Sequence, residues 1–337
     1  KTAEFEVYKK HLCLKTGLFS KILIVKAADG QRFQIESKRM ASMVRQHAGA
    51  QQYVFTPLNF EGKITFRIGI DGQIENRGVN RYNTLNQNHL EFISANASKE
   101  TLLVNVKTRQ SNITVSQAIK HCAHTSGATC TETFQSKVEN EGAYAYYEAD
   151  LKEKQSFKIE KLLSIYSSHV VENPEALALD QLNDLESFDT LFEESKTKWA
   201  EIWKDIDIQV EGDRISQKLL RLHSYHMMLS ASEFNTELDA SVTARGLHGE
   251  AYRGHIFWDE LFILPFYNIH YPEISKSLLM YRYRRLNKSR EYAKENGYKG
   301  AMFAWQSGSD GSEQTQTVHL NPLSGKWGED NSCSSNS

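Results

Sequence analysis

The chain has 337 residues and a formal net charge of −2. This near-neutral balance excludes the strongly basic surface with which proteins bind nucleic acid or anionic membranes. No apolar run approaches the roughly 20 residues that a membrane-spanning helix requires. By the prior of about 150 residues per domain, the length allows two domains with a sizeable core.

Four cysteines are spread along the chain, at Cys13, Cys122, Cys130 and Cys333. They form no Cys-x-x-Cys pair and no Cys/His cluster with the spacing of metal ligands, so we expect no structural zinc. A bridge between Cys122 and Cys130 would require an oxidising compartment, and free thiols are the favoured interpretation.

Strand patterns follow one another through the first half of the chain. The clearest lie at 19–27, 32–37, 52–56, 63–70, 90–94, 101–106, 142–149 and 154–166. Apolar and polar residues alternate within them, and Asp-Gly turns separate several of them, as antiparallel hairpins require. We predict an antiparallel β-sandwich over 1–165 that serves as a scaffold.

The periodicity then changes to that of helices. We predict a helical linker over 166–212, in which Ser187 or Asp189 caps a helix with one apolar stripe. Trp199 and Trp203 lie four residues apart on that stripe, and we interpret both as packing residues.

Successive helices fill the remainder, from 213 to 337. A long helix over 215–231 carries apolar residues on most sides and is predicted to be buried. His223 and His226 lie three residues apart on it. Because no second pair of ligands accompanies them, we interpret them as core histidines rather than metal ligands.

A later helix is strongly basic. Its cationic side chains are Arg282, Arg284, Arg285, Lys288 and Arg290. Glu291 and Glu295 follow closely and the whole chain is near neutral, which indicates a solvated or ion-paired face rather than a nucleic-acid contact. Asn296-Gly297 then ends the next helix as a C-cap does.

The segment 244–267 concentrates the residue types of a sugar-binding pocket. It begins Ala244-Arg-Gly-Leu-His-Gly-Glu-Ala-Tyr-Arg-Gly-His-Ile-Phe-Trp-Asp-Glu and then becomes almost wholly apolar. Aromatic rings offer a flat apolar face to a pyranose, while Asp and Arg hydrogen-bond its hydroxyls. The alternative is a Gly-rich loop that leads into a buried helix. A second loop of aromatic, acidic and small polar residues, at 303–322, favours the pocket.

These motifs resemble glycoside hydrolase family 65, the inverting α-glucosyl disaccharide phosphorylases and hydrolases. Besides the segment just described, the resemblance includes Tyr281-Arg-Tyr-Arg-Arg-Leu, Asn296-Gly-Tyr-Lys-Gly-Ala-Met-Phe-Ala-Trp and, upstream, Thr56-Pro-Leu-Asn-Phe-Glu-Gly. It implies a multidomain β plus α protein: a β-sandwich, a helical linker, and over 213–337 the first, incomplete part of a catalytic (α/α)6 barrel.

The resemblance also implies the substrate-binding residues. These are Trp258, Asp259, Arg245, Gly246, Leu247, Trp305 and Glu313. Trp258 and Asp259 would hold the glucosyl unit of the donor, and the loop from Trp305 onward would shape the donor and acceptor sides. The implied partner is a small α-glucosyl disaccharide or glucoside, with no metal, organic cofactor, nucleic acid or membrane. Inorganic phosphate would be the co-substrate of a phosphorylase.

Two departures from the family pattern affect the chemistry. The run at 306–316 differs from the Glu-Ser-Ala-Asp-Thr-Gly-Glu loop of the phosphorylases, which favours water over phosphate as the attacking group. The general acid of the family, a Glu in a Gly-Pro-Asp-Glu-Tyr-His motif, does not occur in the chain. The acids that could substitute are Asp259, Glu260, Glu250 and Glu313, and none is favoured. Because inversion requires an acid on the leaving oxygen, we predict that the chain alone is inactive.

The alternative function is a non-catalytic carbohydrate-binding or structural module. A coding sequence that continues into a Gly-Pro-Asp-Glu stretch would favour the enzyme, and the low-complexity end at 332–337 indicates a truncation or frame shift. For the full-length protein a homodimer remains open. A phosphorylase would be expected in the cytoplasm, and a hydrolase there or outside it.

Overall fold

The computed structural model describes most of the chain in two compact units. The described residues are 3–76, 78, 86–125, 130–131, 135–246, 251–315, 318–320 and 324–329. One unit comprises residues 1–75 and 88–204, and the other comprises residues 76–87 and 205–337.

The first unit is built on two antiparallel sheets. The larger has the order β1-β2-β3-β4-β12-β8-β7-β6, with β9 paired to β8, and the smaller has the order β10-β11-β5. The strands are β1 Glu4–Cys13, β2 Leu18–Lys26, β3 Arg32–Ala41, β4 Ala48–Pro57, β5 Gly62–Asp71, β6 Leu90–Ala97, β7 Thr101–Thr108, β8 Thr114–Thr125, β9 Cys130–Thr131, β10 Gln135–Glu139, β11 Gly142–Leu151 and β12 Phe157–Ser167. The hairpin predicted from the alternation at 19–37 is the β2–β3 pair.

An aromatic core lies between the two sheets. Successive side chains of a strand point to opposite faces, so each strand contributes every second residue to it. Phe55 and Phe157 of the larger sheet pack against Phe66 and Tyr147 of the smaller one. The rings of Phe66 and Phe157 stack with their centroids 4.6 Å apart. This packing confirms the predicted β-sandwich.

Two helices, α1 Pro174–Asp184 and α2 Phe188–Ile206, cover the outer face of the larger sheet. Leu182 of α1 and Phe188 of α2 share a buried cluster with Leu162 of β12. The helices predicted as a linker therefore pack on the sandwich. The division of the chain at residues 165 and 212 stays a prediction.

The contacts of α2 settle two details of that helix. Ser187, not Asp189, is the capping residue, because its hydroxyl accepts a hydrogen bond from the backbone N–H of Thr190 at 3.1 Å. Trp199 is buried, and the indole N–H of Trp203 donates to the carbonyl of Leu14 at 2.9 Å. Both tryptophans are packing residues, as predicted.

The second unit contains four helices and a short hairpin among its described residues. They are α3 Arg214–Ser230, α4 Glu260–His270, α5 Pro272–Arg284, α6 Leu286–Glu295, β13 Val318–Leu320 and β14 Trp327–Glu329, with 3-10 turns at Glu233–Glu237 and Ala251–Gly254. Leu264 and Tyr267 of α4 pack against Ile274 and Leu278 of α5, and these residues form the core of the unit.

Burial of α3 and α4 is one-sided, which contradicts the sequence prediction that the helix over 215–231 is buried on most sides. Ile215 of α3 is 72% exposed, and Leu261 and Phe262 of α4 are 70% and 71% exposed. His223 is also exposed, so the core-histidine interpretation is wrong for it, whereas His226 is half-buried. The apolar residues of these helices cover a wider arc than the face that packs, and the apolar side chains outside that face remain exposed to solvent.

Three findings concern membranes, metals and thiols. Among the described residues, no helix is long and apolar enough to cross a membrane. In the same part of the chain, no three His, Cys, Asp or Glu side chains gather as metal ligands would. Cys13 is a free thiol, and the sulfur of Cys122 lies 3.4 Å from Nε2 of His124. The side chain of Cys130 and the whole of Cys333 lie outside the described residues.

Candidate functional site

Two loop segments lie side by side in the second unit, one before α4 and one after α6. Ile256 and Ser307 exchange backbone hydrogen bonds of 3.2 and 2.8 Å and form an isolated antiparallel bridge. Antiparallel pairing sets a register, so the residue two after Ile256 lies opposite the residue two before Ser307. Those residues are Trp258 and Trp305.

The two tryptophans form an open aromatic pair. Their ring centroids are 5.4 Å apart and the ring planes are inclined by 32°. Phe262 supports Trp258 edge-on, with 5.2 Å between centroids. Trp258 and Trp305 are 42% and 48% exposed, so much of their apolar surface faces solvent.

Asp259 adds an unused carboxylate beside this pair. It precedes α4 but does not cap that helix with its side chain. Among the described residues, its carboxylate has no hydrogen-bond or ion-pair partner. A half-exposed carboxylate next to exposed aromatic rings can accept hydrogen bonds from a ligand that also has an apolar face.

Arg245 and Gly246 lie in a separate tight turn. The hydroxyl of Thr243 donates to the carbonyl of Gly246 at 2.7 Å, and the Gly246 N–H donates back to the carbonyl of Thr243 at 3.1 Å. The Arg245 side chain is exposed. No hydrogen bond, ion pair or ring contact within the described ranges joins this turn to the tryptophan pair. Leu247 lies outside those ranges.

The Glu313 carboxylate organises the second loop. It accepts hydrogen bonds from the backbone N–H groups of Trp305 at 2.7 Å, Gln306 at 3.1 Å and Thr315 at 3.0 Å, and from the Thr315 hydroxyl at 2.6 Å. Both oxygens are thus occupied by protein donors, which fixes the backbone that carries Trp305.

The segment before α4 enters the site through a left-handed turn. Tyr252, Arg253 and Gly254 all have positive φ, at 61°, 53° and 70°. Two consecutive non-glycine residues in this region store strain, and such strain is typical of functional sites. His255 follows, with its Nδ1 2.6 Å from Nε2 of Gln306. Burial, and secondly the charge of Arg253, lower the pKa of His255.

Family comparisons agree with this architecture. Residues 1–202 match the profile of the glycosyl hydrolase family 65 N-terminal domain, and residues 221–336 match that of the family 65 central catalytic domain. The chain belongs to glycosyl hydrolase family 65. The resemblance inferred from the motifs is therefore confirmed.

Several relatives of this family 65 chain have names that state an activity. A trehalose 6-phosphate phosphorylase of Lactococcus lactis is 37% identical, over 81% of this chain and 35% of that protein. A kojibiose phosphorylase of Halothermothrix orenii is 29% identical, over 91% and 40%. An uncharacterized glycosyl hydrolase of Mycobacterium tuberculosis is 34% identical, over 98% and 25%. The chain thus spans a quarter to two-fifths of the length of these relatives.

A solved structure supports the family 65 fold. The structure, described as a kojibiose phosphorylase from the human microbiome, has a TM-score of 0.80 against this chain at 22% identity. It covers 93% of this chain, which covers 40% of it. The predicted fold class, a sandwich followed by helices, is confirmed.

The candidate site also contains an ion pair that the sequence analysis did not identify. Nε of Arg282 donates to Glu260 at 2.8 Å, and the hydroxyl of Ser241 donates to the other oxygen of the same carboxylate. The basic segment was expected to present a solvated or ion-paired face, and Lys288 does pair with Glu291 at 3.5 Å. Arg282 instead pairs with a residue on α4, and Arg284 and Arg285 pair with Asp239. Helical spacing of acids and bases cannot reveal partners on other elements.

Helix α5 holds the second loop at two further points. The buried hydroxyl of Tyr281 lies 2.7 Å from the Ser307 hydroxyl and donates to the carbonyl of Gly308. Burial raises the pKa of Tyr281. One turn later, Nε of Arg285 donates to the carbonyl of Ser309 at 2.9 Å. Residues 307–309 are therefore held by α5 and by Arg285, the residue that follows it.

Proposed function

We propose that this chain binds the glucosyl unit of an α-glucosyl disaccharide or glucoside, in an enzyme that cleaves the α-glucosidic bond with inversion. The observation that carries the proposal is the open Trp258–Trp305 pair beside the unpartnered carboxylate of Asp259. An indole ring packs on the C–H face of a pyranose, and a carboxylate accepts hydrogen bonds from its hydroxyls. The names of the phosphorylase relatives support a disaccharide substrate.

The remaining site residues have different proposed roles. Arg245 has an exposed side chain that can donate to sugar hydroxyls. Gly246 is proposed to line the same pocket, as is Leu247, which lies outside the described residues. Glu313 would act through the loop that it fixes, because its oxygens are already occupied by protein donors.

Phosphate is the proposed attacking group. The sequence of the 306–316 run favours water. In the structure, however, Glu313 of that run accepts four hydrogen bonds from the protein and so fastens the loop. A different loop sequence is therefore compatible with the phosphorylases among the relatives. Inverting attack by phosphate on an α-glucoside gives β-glucose 1-phosphate. Such a charged ester does not diffuse across membranes, so we place the enzyme in the cytoplasm.

The general acid is proposed to be absent from these 337 residues. Of the acids that could substitute, Glu250 lies outside the described residues. Glu260 accepts hydrogen bonds from Ser241 and Arg282, and both oxygens of Glu313 are occupied. Asp259 is assigned to the sugar. Incubation of the chain with kojibiose, nigerose, maltose and trehalose, with and without phosphate, should yield no β-glucose 1-phosphate and no glucose. Turnover by the chain alone would refute this part of the proposal, and glucose release without phosphate would identify a hydrolase.

Binding is tested separately from turnover. Glucose should change the tryptophan fluorescence of the chain, and Asp259→Asn should weaken the binding about tenfold, because one charged acceptor is lost. Trp327→Phe is the matched control, since Trp327 lies on β14 and makes no ring contact with the pair in the described residues. Equal affinity of the Asp259→Asn variant and the unaltered chain would contradict the proposed site.

A further inference from the structure

Among the residues that the structure describes, Arg282 is the one whose side chain donates hydrogen bonds to the backbone of both tryptophan-bearing segments. Its two terminal nitrogens donate to the carbonyl of Phe257 and to the carbonyl of Ala304, each at 3.4 Å. Phe257 immediately precedes Trp258, and Ala304 immediately precedes Trp305. The two arms of one guanidinium therefore link the backbone on which both rings stand.

Glu260 fixes the orientation of that guanidinium. Nε donates to Glu260 at 2.8 Å, and with this bond in place the two terminal nitrogens face the two carbonyls. The side chains of Arg282 and Glu260 are 16% and 10% exposed, so water screens the pair weakly. Lysine cannot reproduce this arrangement, because an ammonium group has no planar fork.

The base of Arg282 is fixed as well. Tyr281, its neighbour on α5, is almost fully buried, and its hydroxyl is held by Ser307 and Gly308. Rotation of Arg282 away from the carbonyls would therefore require movement of α5 or a break of the pair with Glu260. Both tryptophan-bearing segments are therefore hydrogen-bonded to the same fixed guanidinium group.

We propose that Arg282 is a positioning residue that sets the spacing and tilt of the Trp258–Trp305 pair and, through it, the affinity for the donor sugar. The part that concerns sugar rests on the proposed function; the part that concerns ring geometry rests on the contacts alone. Recognition sites depend on supporting residues that lock the groups in contact with the ligand, because small displacements weaken every contact at once.

The test compares Arg282→Lys with Arg284→Lys in the full chain. Arg284 lies two residues away, pairs with Asp239 on the exposed side of α5, and contacts neither carbonyl. Neighbouring indole rings couple their electronic transitions, so the pair contributes an exciton couplet to the circular dichroism spectrum. That couplet is isolated as the difference between each protein and the same protein with Trp305→Phe. Thermal melts and glucose titrations accompany the spectra.

Arg282→Lys should lose most of the couplet and bind glucose about tenfold more weakly, while the chain remains folded. Arg284→Lys should retain both properties. A merely structural role would lower the melting temperature and leave the couplet of the folded fraction intact. A preserved couplet in folded Arg282→Lys would overturn the inference, whatever the affinity for glucose.

Two further outcomes are distinguishable. If the unaltered chain shows the couplet but binds no glucose, the proposed function fails while the couplet still decides the role of Arg282. If Arg282→Lys does not fold, Glu260→Gln replaces it, because the amide keeps one acceptor and loses the charge that orients the guanidinium. A partial loss of the couplet is then expected, and an unchanged couplet would overturn the inference.

Discussion

His121 lies buried between the two sheets of the sandwich, with its Nδ1 2.7 Å from the hydroxyl of Tyr147. Burial, and secondly the charge of Lys161, lower the pKa of His121 to about 4. The native state therefore keeps the imidazole neutral at pH values at which the unfolded chain protonates it. The usual pKa of an exposed histidine is about 6.5.

This difference predicts an acid-sensitive sandwich. Between about pH 6.5 and pH 4 the unfolded state binds more protons than the native state, so stability falls as the pH falls. The loss attributable to His121 amounts to roughly 3 kcal/mol across that window. Urea unfolding of His121→Gln should show a shallower pH dependence in the window. His223→Gln is the control, because His223 is exposed. An identical slope in both variants would contradict the prediction.

At the scale of elements, Gly311 shows how closely the second loop fits against α5. Its φ is +84°, and a Cβ built on it would lie 2.9 Å from the side chain of Arg285. An alanine there would have both an unfavourable backbone conformation and a steric contact. Gly325 has a similar φ of +65°, and no atom of the described residues lies within 4 Å of such a Cβ.

Gly311→Ala and Gly325→Ala therefore separate the two effects. Gly325→Ala should cost about 1–2 kcal/mol of stability, the usual penalty for a left-handed residue with a Cβ. Gly311→Ala should cost more, because the loop or Arg285 must move as well. Denaturant unfolding measures both. Equal losses would show that Arg285 gives way freely and that the loop is not held as the structure indicates.

Patterns along the chain predicted the elements but not their partners. Alternation located the strands and the 3.6-residue period located the helices, because both are local properties. The position of β12 between β4 and β8 depends on pairing with strands that are distant in the sequence, such as Phe157 with Phe55, and no local pattern encodes it. Motifs indicated Trp258 and Trp305, and the structure places their rings side by side. The clamp of Arg282 and Glu260 was not predicted, because it joins elements 22 residues apart.

At the scale of the molecule, the exposed apolar surface of α4 affects how the chain associates in solution. Leu261, Phe262 and Ile269 are each at least 70% exposed. Contiguous apolar surface of this kind promotes association. The chain should self-associate with increasing concentration in sedimentation velocity, and Phe262→Glu should reduce this. Phe5→Glu, on β1, is the matched control for the added charge. Monomeric behaviour of the unaltered chain at high concentration would contradict the prediction.

The bridge between Ile256 and Ser307 has a consequence for how the chain tolerates changes in length. Successive residues of paired strands face opposite sides, so a shift of one residue reverses the side on which a ring appears. One inserted residue between Ile256 and Trp258, or between Trp305 and Ser307, would separate the two rings. The forty-six residues from Asp259 to Ala304 lie outside this constraint. Insertions that leave α4, α5 and α6 intact can lengthen that interval without changing the register in which Trp258 and Trp305 face each other.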